Sequence, residues 1–167
     1  KTEDAGALEA LTRAHEEARN WNDVIHLLQL RASIAQRGGK HDEAFDLNVR
    51  VGDIFLDKIR DREAAAQTYV MALDQQPDNR NLLTKLMSIY SDSQDWPRLI
   101  EIILRIAEMV KDPQQLAKYY NTAASIAQTQ LGRFDEAANY FEAALSYVPA
   151  GEGDQQFKGL SQCLSEN

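Results

Sequence analysis

Two stretches decide the fold: REAAAQTYVMALDQQPD at residues 62–78 and FDEAANYFEAALSYVPA at residues 134–150. Ala65, Tyr69, Ala72 and Leu73 of the first recur as Ala137, Phe141, Ala144 and Leu145 of the second, each 72 residues on. The apolar positions fall three and four apart, which is the helical period. Alanine at 65, 72, 137 and 144 lets a neighbouring helix approach closely, and the aromatics at 69 and 141 fill the groove beside them. A second recurrence lies upstream of each stretch. Trp21-Asn22-Asp23-Val24-Ile25 and Trp96-Pro97-Arg98-Leu99-Ile100 are 75 residues apart at the same stage of the pattern. The three-residue difference falls in the Gly38-Gly39 loop. The chain therefore reads as two copies of a four-helix unit, each made of two helical hairpins.

The punctuation between helices agrees. Glycine and proline are scarce and sit at segment edges, and no useful length alternates with period two, so no strands are expected. Asn20 and Asp23 flank the start at Trp21, and Gly38-Gly39 breaks the chain before His41-Asp42-Glu43. Asp61 is an N-cap candidate with Glu63 behind it. Gln76-Pro77-Asp78 is a stop followed by a start. Asp95 with Pro97, and Asp112 with Pro113, place a capping carboxylate before a first-turn proline, whose missing N–H costs nothing there. Leu131-Gly132 and Pro149-Ala150-Gly151 end the last two helices of the second copy. The spacing predicts nine helices, roughly 4–18, 21–36, 41–58, 62–75, 79–92, 96–110, 113–130, 134–147 and 154–164. Loops of a few residues make neighbours antiparallel.

Composition narrows the function classes. The 167 residues are 44% apolar and 26% charged, and are expected to form one repeat domain over 1–167. Lys and Arg number 18 against 26 Asp and Glu, a net charge of −8. Nucleic acid and anionic membrane surfaces both select a positive face, so neither is an expected partner. No apolar run approaches the roughly 18 residues of a membrane span, so no membrane insertion is expected. One cysteine excludes an internal disulfide framework. The chain begins at Lys1 and has no signal-peptide pattern; a piece of a longer protein or a mature form, located in the cytoplasm, is the expectation.

Catalytic constellations are sought and not found. His15, His26 and His41 show no metal-ligand spacing and no H-E-x-x-H. His15 occupies a packing position whose siblings are Phe55, Tyr90 and Ala127. Cys163 has no nearby histidine and reads as a structural thiol. Gly151-Glu152-Gly153 follows a proline turn, not a strand, so it is no phosphate loop. Asp42-Glu43 and Glu16-Glu17 are adjacent carboxylates that point about 100° apart on a helix, the mark of a solvated face. No enzyme activity, metal or cofactor is expected. Trp21 and Trp96 are equivalent by repeat and read as packing residues, with a partner hot spot as the sharper alternative.

These residues carry a family resemblance. Gly52, Phe55, Ala65, Tyr69, Ala72 and Pro77 resemble the tetratricopeptide repeat pattern of small residue, aromatic, Ala, aromatic, Ala, Pro, with one extra residue in the turn. Ala124, Ala127, Phe134, Ala137, Phe141, Ala144 and Pro149 are similar, with the same extra residue. Leu8, Leu11, His15, Trp21, Val24 and Leu28 follow a looser version, as do Leu83, Leu86, Tyr90, Trp96, Leu99, Ile103 and Ile106. The resemblance implies an all-α, right-handed solenoid of antiparallel hairpins at about 5–37, 41–77, 79–111 and 113–149. A hairpin cannot bury its apolar face alone, so stacked neighbours form the core and the ends need caps. A capping helix is expected at about 153–165, with Phe157, Leu160 and Leu164 facing inward and Asp154, Gln155, Gln156 and Lys158 outward.

For function the family implies protein–protein scaffolding, with the first helix of each pair lining a concave groove. Stepping along those helices places Glu9, Arg13, Glu16 and Glu17 there from the first, and Asp46, Arg50, Asp53 and Asp57 from the third. The fifth adds Thr84, Lys85, Ser88 and Asp92, and the seventh Lys118, Asn121, Thr122, Ser125 and Gln128. That groove is acidic in its N-terminal half and nearly neutral in its C-terminal half. Some family members clamp a C-terminal carboxylate with Lys and Asn, but here Asp53 stands where the Asn is wanted, and Glu9, Val49 and Thr84 fill the other clamp places. A basic or polar protein segment suits the charge better. Two rival expectations are self-association through apolar end faces, where Leu8 and Leu11 lack an upstream neighbour, and service as a regulatory arm of an enzyme.

Overall fold

The computed structural model describes residues 5–149 and 151–166, so the expected helix start at residue 4 and the stop at Ala150 lie outside the described residues. Among the described residues there are nine α-helices and no strand. They are α1 (Ala5–Glu17), α2 (Trp21–Arg37), α3 (His41–Ile54), α4 (Arg62–Leu73), α5 (Arg80–Asp92), α6 (Trp96–Met109), α7 (Pro113–Thr129), α8 (Phe134–Ser146) and α9 (Asp154–Ser165). The fold class is thus an all-α helical repeat. The chain forms two compact units, Lys1–Asn79 and Arg80–Asn167, and the division falls where the second sequence copy begins.

In the first unit each helix packs on the next, α1 on α2, α2 on α3 and α3 on α4. Val24, Ile25 and Leu28 of α2 interlock with Leu47, Val51 and Ile54 of α3, with Trp21 and Phe55 packed against them. Tyr69 of α4 is fully buried. Its ring occupies the space a side chain at Gly52 would need: a Cβ there would lie 2.4 Å from Tyr69 Cε1. The second unit repeats the scheme through α5 to α9. Leu83 and Leu86 of α5, which packs on α6, are fully buried, and so are Ala124, Ala127, Ala137 and Ala144, so α7 and α8 run close together.

The helix ends explain the extra turn residue counted in the sequence. Three turns close as Schellman motifs, with Asn20 N–H donating to His15 C=O, Lys40 to Ala35 and Asp95 to Tyr90, each spanning five residues. Arg19, Gly39 and Gln94 supply the left-handed residue, at φ 57°, 75° and 56°. The α3–α4 and α7–α8 turns are one residue wider. There Asp61 N–H reaches Phe55 C=O and Arg133 N–H reaches Ala127 C=O, around Arg60 (φ 66°) and Gly132 (φ 62°). In the first copy the surplus residue winds the end of α3 into a π-helical turn, Phe55–Ile59. The continuous helix expected to 58 is therefore α-helical only to Ile54.

The expected caps are in place. Asp61 accepts from Ala64 N–H at 2.9 Å, Asp95 from Arg98 at 3.3 Å and Asp112 from Gln114 at 3.1 Å. Asn20 does not cap α2; its amide lies 3.5 Å from His15 Nδ1 instead.

The last helix corrects the sequence reading of its inner face. Phe157 and Leu164 are 61% and 62% exposed. The face turned to α8 carries Gly159, Leu160 and the fully buried Cys163. Gly159 decides this, because Phe141 lies where its Cβ would be, 2.4 Å from Phe141 Cζ. The helix rotates to admit the ring, and Phe157 turns outward.

Candidate partner-binding groove

The positions assigned to a concave surface fare differently in the two units. In the first, four of the eight charged positions pair with one another. Arg13 lies 3.7 Å from Glu9, and Arg50 of α3 pairs with Glu16 of α1. Asp53 accepts a 2.5 Å hydrogen bond from the Tyr69 hydroxyl, so it braces the α3–α4 hairpin. Burial first, and this carboxylate second, push the Tyr69 hydroxyl above the usual tyrosine range. Glu17, Asp46 and Asp57 are exposed. Trp21 packs on the core cluster, and the Lys58 ammonium lies over its ring, 5.5 Å from the centroid.

In the second unit an open groove of about 470 Å³ runs between α5 and α7, with α6 beneath. Its floor is apolar: Trp96, the buried Leu99 and Ile103, and Ile126 from α7. Four expected residues stand at its rim, Thr84, Ser88 and Asp92 from α5 and Thr122 from α7, joined by Ser91. Residues four apart on one helix share a face, which is why Thr84, Ser88 and Asp92 line up. The two threonines spend their protons within their own helices. Thr84 Oγ1 donates to Arg80 C=O and Thr122 Oγ1 to Lys118 C=O, both at 2.8 Å. What they turn to a ligand is lone pairs, and Asp92 adds only acceptors.

The remaining expected residues lie elsewhere. Lys85, Lys118 and Ser125 do not line this groove. Asn121 and Gln128 differ from Thr122: Asn121 Oδ1 and Gln128 Nε2 are buried without a hydrogen bond among the described residues. The floor is what sequence reasoning missed. Trp96, equivalent to Trp21 by repeat and half-buried like it, lines the groove. The signal was available in the residues that cover Trp21, whose counterparts in the second copy are shorter.

No group of three or more His, Cys, Asp or Glu placed to hold a metal occurs among the described residues. No described helix is long and apolar enough to cross a membrane. Burial pushes the Cys163 thiol up, with Glu166 adding to the shift, away from the thiolate a nucleophile needs.

No protein-family model matches the chain, and no curated protein sequence matches it. Among solved structures it is similar to BtubC (BKLC) from P. vanneervenii, with 18% identity, 95% of this chain and 70% of that one covered, and a TM-score of 0.47. It is also similar to MamA, with 12% identity, 93% of each chain and a TM-score of 0.47. A mutant of MamA gives 19% identity, 96% of this chain, 86% of that one and a TM-score of 0.46. At such scores the likeness assigns no residue a role.

Proposed function

We propose that this chain is a non-catalytic protein-interaction module whose second unit holds a basic or polar peptide segment in the α5–α6–α7 groove. The observation that carries the reading is an aromatic and aliphatic floor left open beneath a rim of hydroxyl and carboxylate acceptors. An extended segment lays apolar side-chain surface on such a floor, and its N–H groups meet the rim. The groove lies within the second unit, and three acidic positions of the first, Glu9, Glu16 and Asp53, already have partners within the chain.

The test is a random heptapeptide library displayed and panned against the parent chain, with the selected peptides measured again on Ser88→Tyr. Ser88 is exposed on α5, so the tyrosine fills the groove without entering the core. Circular dichroism checks that helicity is kept. Selected peptides are expected to lose most of their affinity for the variant. Peptides that bind both forms equally well would move the partner surface off this groove.

A further inference from the structure

The internal repeat shows what the groove lacks. Copies are aligned by 75 residues through α5 and α6 and by 72 through α7 and α8. The rim and floor residues of the second unit then have counterparts in the first. Ser91 corresponds to Glu16 and Thr122 to Arg50, the two residues that form an ion pair from α1 to α3. Gln130 corresponds to Lys58, whose ammonium covers Trp21. The first copy therefore closes this place with two of its own cations. The second copy has replaced both with shorter or neutral side chains and kept the tryptophan. Gln130 sits against its neighbour Thr129, 3.4 Å from Nε2 to Oγ1, and among the described residues no cation lies over Trp96.

Resting on the groove reading above, we infer that the occupant is a basic side chain of the partner segment, an arginine or lysine. Its cation lies over Trp96 beside Asp92, in the place Lys58 takes over Trp21. Three features favour it. The Trp96 ring offers its negative face to a cation. The aliphatic stem of the side chain suits Leu99, Ile103 and Ile126. Thr84, Thr122 and Asp92 turn only acceptors to the groove, while Ser88 and Ser91 can serve either way, so a donor-rich occupant is matched and the Asp92 carboxylate disfavours an anionic one.

The test uses capped heptapeptide pools that differ only in a fixed central residue: arginine, lysine, norleucine or glutamate. The readout is the indole N–H resonance of Trp96, assigned apart from Trp21 by a Trp21→Phe variant. The arginine and lysine pools are expected to shift it with at least about tenfold higher affinity than norleucine, and glutamate not to shift it. Gln130→Lys supplies the cation from within, and Ser91→Glu with Thr122→Arg installs the ion pair of the first copy. Each is expected to weaken the arginine pool about tenfold or more. Equal affinity for norleucine and arginine would overturn the cation and leave the groove reading standing. Undiminished arginine binding to both variants would do the same. If no pool moves the Trp96 resonance, the cation and the groove both fall.

Discussion

Tyr69 ties three residues of α3 and α4 together. Its ring sits against Gly52, its hydroxyl donates to Asp53, and none of the side chain reaches water. Gly52→Ala would force a methyl into a ring that has no room to retreat. It should cost about 1–3 kcal/mol, read as a lower urea midpoint. Tyr69→Phe keeps the ring and drops the hydrogen bond, for a loss of about 1 kcal/mol. The hydroxyl also gives the fold a pH dependence. The folded chain holds a proton that the unfolded chain releases above about pH 10, so this stability is complete below that pH and is lost as pH rises past it. Tyr69→Phe should therefore flatten the alkaline side of the stability profile, and an unchanged profile would show the loss arises at other groups. Gln94 is the opposite case, a side chain in a left-handed conformation at φ 56°. Gln94→Gly relieves about 1–2 kcal/mol of strain against a smaller gain in unfolded-chain freedom. The urea midpoint should rise by about 0.5–1 kcal/mol equivalent.

Among the elements, those with a chemical signal at each end were legible. Asp61, Asp95 and Asp112 cap as their sequence context implies, and each start lies within a residue or two of its expected place. Asp95→Ala should cost about 1 kcal/mol, measurable by thermal melting, because α6 carries the floor of the groove and has no other side-chain cap. Two elements were misread, for different reasons. The π-helical end of α3 showed only as a surplus residue, since a residue count does not say whether the extra unit enters the helix or the loop. The α9 face was misread because hydropathy favours Phe157 and Leu164, while what orients the helix is the missing side chain of Gly159 beneath Phe141. A helix face chosen by close approach leaves no apolar stripe to count. Of the groove-lining residues, helical stepping reaches Thr84, Ser88, Asp92 and Thr122 but also names Lys85, Lys118, Asn121, Ser125 and Gln128, which do not line it, and it does not reach the aliphatic floor. Equivalence by repeat made Trp21 and Trp96 the same residue, and the difference lies in Lys58 and Gln130, 37 and 34 positions away along the chain.

At the scale of the whole molecule the two copies have diverged in what they do with charge. Lys1–Asn79 carries 10 basic against 15 acidic side chains and Arg80–Asn167 carries 8 against 11, so both units are negative. A net charge of −8 acts on a partner before contact is made, and contact chemistry acts after it. The two effects separate by rate. Raising salt from 10 mM to 150 mM shortens the screening length from about 30 Å to about 8 Å. The association rate of an arginine-centred peptide should then fall several-fold, on the order of three to ten. Its dissociation rate should change little, because that depends on the cation over Trp96 and the acceptors around it. Gln130→Lys should show the reverse, a faster dissociation with a small change in association. Both rates are read by stopped-flow fluorescence of a labelled peptide. A dissociation rate that climbs with salt while association stays flat would mean that the attraction resides in exposed ion pairs of the bound state, not in the field of the molecule.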